Sequence, residues 1–253
     1  TLAGLTEEES VDSCIVSFQQ DKWQVANGPF EDINQHCLGA WSLLVQSVDH
    51  FCPEADTLLR AFDFIPHWRM DDLMVSYSNQ GGGVGPHLDQ YDVFIVQGQG
   101  SRHWQVGLPG NYENCRPHPE LSQIKPFEPV IDQVLEPGDI VYIPPHHPHN
   151  GVACEPCFNY SVGFRAPSQQ EILSSLADYA IDHNKLNDRY TDGELAPREF
   201  SAQINKQEQH RFKQFLLQAI DSELFAQWLP SYLSQSKIFV EPEVVENCIN
   251  TKE

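Results

Sequence analysis

Apolar and polar positions change their period twice along this 253-residue chain. Up to about residue 70 the signal is mixed. Trp23-Gln24-Val25, followed by Gly28-Pro29-Phe30, reads as a short strand and a turn. Trp41 to Val48 places apolar residues at both the strand and the helix period, and within Ala55 to Phe62 the residues Leu58, Leu59 and Phe62 recur at helical spacing. We read residues 1–70 as a helical or mixed lead-in that packs on the core to follow.

From Asp71 to Pro167 the period shortens to two. Leu73 to Ser78 alternates and ends at Gly81-Gly82-Gly83. Tyr91 to Gln97, the turn Gly98-Gln99-Gly100, and Arg102 to Val106 read as a hairpin with a glycine-bearing loop. Pro137-Gly138-Asp139 is a turn before Ile140 to Ile143, which Pro144-Pro145 stops; Phe158 to Phe164 alternates again. Many short strands punctuated by turns predict a barrel or jelly roll.

After Pro167 the period lengthens to that of a helix. Ser168-Gln169-Gln170-Glu171 is a capping box, and Leu173, Leu176, Ala177 and Ala180 then share one face. Two more amphipathic runs carry Phe212, Phe215, Leu216 and Ala219, then Phe225, Trp228, Leu229 and Tyr232. Residues 237–253 are acidic and Pro-containing, as expected of a linker to a further domain. Thr1 opens the chain without an initiator Met, so we expect a piece of a longer protein.

Composition narrows the partners. Fifteen Lys and Arg face 36 Asp and Glu, a formal charge of −21. That balance disfavours direct nucleic-acid binding and favours a basic partner drawn in by long-range attraction. No stretch approaches the roughly 20 apolar residues of a membrane span, so we expect no membrane association. The seven Cys, an odd number at irregular spacing, fit reduced thiols in a cytoplasmic protein. Cys154-Glu155-Pro156-Cys157 lacks the second pair of a structural zinc site and reads as a loop between two strands.

His87-Leu88-Asp89 carries the chemistry. On a strand, positions i and i+2 point to one face, so imidazole and carboxylate can reach a single ion. Two His and one carboxylate on one octahedral face form the Fe(II) site of mononuclear oxygenases. Pro144-Pro145-His146-His147-Pro148-His149-Asn150-Gly151 offers three third ligands. We take His149, the last before the glycine at which the next strand turns inwards. A dicarboxylate cosubstrate chelated there needs its far carboxylate neutralised, and Arg102, sharing parity with Trp104 and Val106, suits that role. Ser76, Ser78 and Asn159 are placed to add hydrogen bonds.

Gly81 to Phe94 with its H-x-D, Gly100 to Trp104, Pro137 to Pro145 and Asn159 to Pro167 together closely resemble the bacterial ribosomal oxygenases. Those JmjC-type enzymes hydroxylate an arginine of a large-subunit ribosomal protein. The resemblance implies a mainly β fold with helices: a double-stranded β-helix of the jelly-roll, cupin or JmjC kind over residues 71–167. It implies a helical dimerisation region over 168–236, which agrees with apolar helix faces larger than one barrel needs and predicts a homodimer. It also implies Fe(II) on His87, Asp89 and His149, and 2-oxoglutarate on Arg102. Eukaryotic relatives place Lys at the position of Arg102 and act on histidine, which favours the arginine branch. The family's winged helix and extreme N-terminus find no match here.

Two other readings stand beside this one. A JmjC hydroxylase acting on histidine, lysine or asparagine shares the site and differs only in its substrate pocket. A non-oxygenase metal-binding cupin usually uses H-x-H with a later Glu, not H-x-D. For a substrate guanidinium, carboxylates and phenols near the H-x-D are suited, and Gln90, Tyr91 and Asp92 follow the ligand directly. Parity puts Tyr91 on the ligand face; Asp92 serves only if the strand bends.

Overall fold

The structure is a computed structural model describing residues 1–191, 200 and 202–235. Two compact units emerge, Thr1–Ala166 and Pro167–Ser236. The expected linker over 237–253 lies outside the described residues.

The first unit is built on two sheets. The large one comprises β1 (Ser13–Gln19), β2 (Lys22–Asn27), β3 (Ala40–Val45), β4 (Met70–Ser78), β5 (Val93–Gln97), β10 (Ile140–Ile143) and β12 (Cys157–Phe164), in the order β10-β5-β12-β4-β3-β1-β2. The small one comprises β6 (Arg102–Gly107), β9 (Pro129–Leu135) and β11 (His149–Ala153), in the order β11-β6-β9. Between β6 and β9 the chain makes a separate two-stranded ribbon, β7 (Asn114–His118) with β8 (Leu121–Ile124). Short helices α1 (Leu2–Leu5) and α2 (Ala55–Leu59) flank the large sheet's strands in sequence.

Three sequence expectations change here. Residues 1–70 are mixed, with β2 over the expected strand at Trp23–Val25, but they hold two further strands, and all three extend the large sheet. Of these, β1 escapes a search for alternation because its buried positions include Ser13 and Ser17, each 3% exposed. The second change is larger. β5 and β6 do not form a hairpin: β5 pairs with β10 and β12, and β6 pairs with β9 and β11. The turn at 98–101 is a corner that carries the chain from one sheet to the other. Gln97 holds that corner, its amide nitrogen donating to the carbonyls of Gly100 at 2.9 Å and of Gln99 and Phe158 at 3.4 Å. The third change is that β7, β8 and β9 have no counterpart in the sequence reading.

Both faces of the large sheet are used, and β4 shows how. Leu73 and Val75 face outwards into a core with Ile15, Leu43, Val45, Phe62, Val162 and Phe164. Each such side chain stabilises by roughly 1.5–3 kcal/mol on burial. The alternate residues, Asp72, Met74 and Ser76, face the second sheet and line a cavity. A second core of Val93, Ile95, Trp104, Val106, Val141 and Ile143 fills the rest of the space facing that sheet.

The second unit is helical: α3 (Gln169–Asp182), α4 (Lys206–Ile220) and α5 (Glu223–Leu233). The Ser168–Glu171 capping box is present, with reciprocal bonds of 3.2 and 2.7 Å, and Asn205 with Glu208 caps α4 in the same way. Leu176, Ala180, Leu224 and Trp228 are buried, Trp228 donating to Ser175 at 3.2 Å. Leu173 and Ala177, assigned to the buried face by periodicity, are exposed in the single chain.

Candidate metal centre and its cavity

His87 and His149 are brought together by backbone. Each donates its amide to the other's carbonyl at 3.0 Å, an antiparallel bridge that sets their rings 4.1 Å apart between centroids. Asp89 is anchored by His146, whose amide donates to its carbonyl at 2.8 Å. The glycine-rich loop before His87 can lie this close because of its composition. A Cβ at Gly83 would stand 2.4 Å from the carbonyl oxygen of Gly151, on the strand that carries His149.

The three side chains converge so that one ligand atom from each lies within 4.8 Å of the others. Both imidazoles are oriented from behind: Nδ1 of His87 faces the carbonyl of Gly85 at 2.9 Å, and Nδ1 of His149 that of His147 at 3.0 Å. A carbonyl only accepts, so each Nδ1 carries the hydrogen and each Nε2 presents its lone pair to the centre. His149 Nε2 lies 3.4 Å from Asp89 Oδ2. Burial pushes His87 down to about 4, with His149 adding to the effect and Asp89 opposing it. Burial alone would raise the Asp89 carboxyl, but the contact with His149 and the neighbouring His87 hold it below its usual range. Neutral imidazoles and an ionised carboxylate are the states that bind a cation. Of the three histidines offered by the proline-rich segment, His149 is the one that arrives. His146 is exposed at a positive φ of 62°, and His147 turns its Nδ1 to Pro145.

Beyond the triad lies a cavity of about 160 Å³ lined from both sheets. Arg102 lines it, only 5% exposed, and its Nη2 donates to Ser78 Oγ, which in turn lies 2.6 Å from Ser42 Oγ. Its Nε is buried with no hydrogen-bond partner. Burial pulls the guanidinium below its ordinary value, the thiol of Cys157 opposing this. Among the described residues no carboxylate pairs with this buried cation, which calls for an anionic ligand. Ser76, Asn159 and Ser161 line the same cavity, Asn159 donating to Gln97 Oε1 at 2.7 Å. Trp104 also lines it and leaves its indole N–H unpartnered.

The substrate candidates divide. Tyr91 lines the cavity although it is 41% exposed, and partial burial, with Asp89 and Asp72 adding to it, pushes its phenol above the usual value. Gln90 is exposed and does not line it. Asp92 is turned to the other face and engaged there, 2.8 Å from Arg69 Nη2 and 2.6 Å from the hydroxyl of Tyr142. Asp92 lies just before β5, after a bend at Gln90 and Tyr91, and that bend does not turn it into the cavity. Besides the ligand Asp89, the carboxylate that lines the cavity is Asp72, which the sequence reading does not single out. It was within reach, because Asp72 shares the face of Ser76 four positions later on one strand.

Residues 57–172 match the JmjC domain family. Those residues form a JmjC domain. The resemblance to bacterial ribosomal oxygenases also holds along nearly the whole chain. It is 49% identical to the ribosomal protein uL16 3-hydroxylase of Escherichia coli over 237 residues, 93% of this chain and 64% of that protein. It is 40% identical to a probable ribosomal oxygenase of Haemophilus influenzae over 68% of this chain and 44% of that one. The chain thus spans less than two thirds of these curated relatives. An X-ray structure of E. coli YcfD superposes with a TM-score of 0.89 at 48% identity, covering 95% of this chain and 65% of that one. Another, of YcfD as a ribosomal oxygenase in complex with cobalt and 2-oxoglutarate, superposes with a TM-score of 0.85 at 47% identity, covering 95% and 64%. This likeness places the fold with the mainly β JmjC and cupin proteins, as expected. Among the described residues no helix is long and apolar enough to cross a membrane.

Proposed function

We propose that the chain is the JmjC part, built on a double-stranded β-helix, of an Fe(II)- and 2-oxoglutarate-dependent hydroxylase acting on an arginine of a large-subunit ribosomal protein. The uL16 counterpart is the first candidate substrate. The single observation that carries this reading is the charge layout of one cavity: a two-His, one-carboxylate triad beside a buried guanidinium that is bonded to a serine hydroxyl and has its Nε unpartnered.

The residues fit both absent groups. His87, Asp89 and His149 would hold the metal through two Nε2 atoms and a carboxylate oxygen, leaving the remaining positions open. Arg102 would take the far carboxylate of 2-oxoglutarate, with Ser76, Ser78 and Asn159 around it. Together the metal and 2-oxoglutarate supply the activation of dioxygen that hydroxylation requires. The chain's own residues bind and aim the substrate. Asp72 lies on β4 roughly 20 Å along the strand from Ser78, the partner of Arg102, at about 3.3 Å per residue. The cavity therefore has a cationic and an anionic end. A carboxylate there, raised by burial and by Asp49, gains most from a partner that brings its own positive charge. Tyr91, kept protonated, flanks that end as a hydrogen-bonding wall. Gln90 and Asp92 we leave outside the contact set. The helical unit we assign to homodimerisation in the cytoplasm, with a basic ribosomal polypeptide as partner and no direct contact with nucleic acid.

Mass spectrometry of ribosomal proteins from cells with and without the gene tests the substrate. Loss of one oxygen mass from an arginine of a single large-subunit protein is expected; an unchanged ribosomal proteome overturns the assignment. His149→Ala should abolish metal-dependent 2-oxoglutarate turnover and leave the fold intact. Turnover retained in that variant, and lost instead in His146→Ala or His147→Ala, would reject the ligand set.

A further inference from the structure

We propose that Ser47 positions Asp72 for the cationic end of the substrate, and that Gly163 keeps the second carboxylate oxygen free to receive it. This rests on the arginine reading above, and concerns how the pocket enforces it.

Ser47 stands where a serine would ordinarily cap a helix. It precedes the 3-10 turn Val48–His50, yet makes no side-chain cap bond. Its amide and its hydroxyl both point instead to Asp72 Oδ2, each at 3.3 Å. The residue is 5% exposed and holds φ 50° and ψ 40°, a left-handed conformation that a non-glycine residue adopts only at a cost. The diversion of its hydroxyl and its strained backbone occur at one residue, and both serve the same carboxylate. The turn also grips the next position, because the amide of Leu73 donates to Asp49 Oδ1 at 2.9 Å. Asp72 is thus held at its carboxylate and through its neighbour's backbone.

The other oxygen is treated oppositely. Gly163 is the cross-strand neighbour of Asp72, and both line the cavity. A Cβ at Gly163 would stand 3.2 Å from Asp72 Oδ1, closer than comfortable contact. Leaving that atom out keeps Oδ1 open to the cavity. One oxygen is clamped and the other is offered, the arrangement that fixes the direction from which a planar guanidinium approaches.

The test compares an arginine peptide with its citrulline analogue, a neutral side chain of nearly the same shape. The readout is the ratio of their kcat/KM values. The parent protein should prefer arginine strongly. Ser47→Gly removes the hydroxyl and the left-handed strain together, so it should melt no lower than the parent, while the ratio falls at least roughly tenfold. Ser47→Asn tolerates the left-handed backbone and supplies an amide donor, and should restore most of the ratio. Gly163→Ala should lower it from the other side. A Ser47→Gly protein that keeps the full ratio shows that Ser47 only shapes the turn, and overturns the inference. So does a lost ratio accompanied by a lower melting temperature and no recovery with Asn. A parent protein that does not discriminate the two peptides brings down the arginine reading itself, and this inference with it.

Discussion

At the scale of single residues, the clearest consequence follows from Arg102. Its guanidinium is 5% exposed, bonded to one hydroxyl, with Nε unpartnered. Without an anion it works against folding, since a buried charge lacking its counter-charge costs about 1–3 kcal/mol or more. Arg102→Met should therefore raise the melting temperature of the ligand-free protein by several degrees, at roughly 2–4 °C per kcal/mol for a domain of this size. It should also abolish the stabilisation that 2-oxoglutarate gives the parent. Thermal melts with and without 2-oxoglutarate check both; a variant that melts lower without ligand contradicts the idea that the charge is uncompensated. Arg102 was legible in the sequence because an arginine that shares parity with Trp104 beside a ligand motif has few roles on an inward face. The triad was legible for the same reason, plus the glycine that follows His149. For Asp72 the sequence gives only its parity with Ser76, which names a face and not a partner: the sheet brings in a residue fifteen positions before His87, whereas Asp92, nearer in sequence, faces away.

At the scale of elements, the lesson is in the corner between β5 and β6. Two strands joined by a short glycine-bearing turn satisfy every local rule for a hairpin. What decides otherwise is that both β5 edges are already taken, by β10 and β12, strands that come more than forty residues later. No short window carries that information. The residue that enforces the corner is Gln97, 1% exposed, bonded to Gly100 and accepting from Asn159. Gln97→Leu is close in size and more apolar, so hydrophobic burial alone predicts a neutral change. We expect a loss of about 2–4 kcal/mol, because the Gly100 carbonyl and the Asn159 amide are left buried without partners. Chemical denaturation reads this directly. The same variant should raise the KM for 2-oxoglutarate, since Asn159 would lose the contact that orients it. A Leu variant as stable as the parent would mean that the backbone, not this amide, holds the corner.

At the scale of the whole molecule, two properties remain unused by the site: apolar surface on the helices, and net charge. In the helical unit Leu173 is 57% exposed, Ile181 74% and Leu216 65%, too much apolar surface for water to cover comfortably. The periodicity of α3 and α4 was readable, but not where their apolar faces go, since burial within one chain and burial by a second copy leave the same pattern. A homodimer is expected by light scattering at micromolar concentration, and Leu216→Glu should shift it towards monomer.

Charge acts at longer range. With −21 spread over 253 residues, the field extends beyond contact distance and attracts a basic polypeptide before any pocket is reached. Steering of this kind accelerates encounter and is screened by salt over a Debye length of about 10 Å at 0.1 M. Binding within the cavity, by contrast, is desolvated and screened far less. The two contributions separate in kinetics. For a basic ribosomal polypeptide, kcat/KM should fall steeply as ionic strength rises, while kcat at saturating substrate stays nearly constant. For a short peptide carrying the target arginine and no other charge, the slope should be much shallower. If the two substrates show equal salt dependence, the charge serves solubility alone and recognition is confined to the pocket.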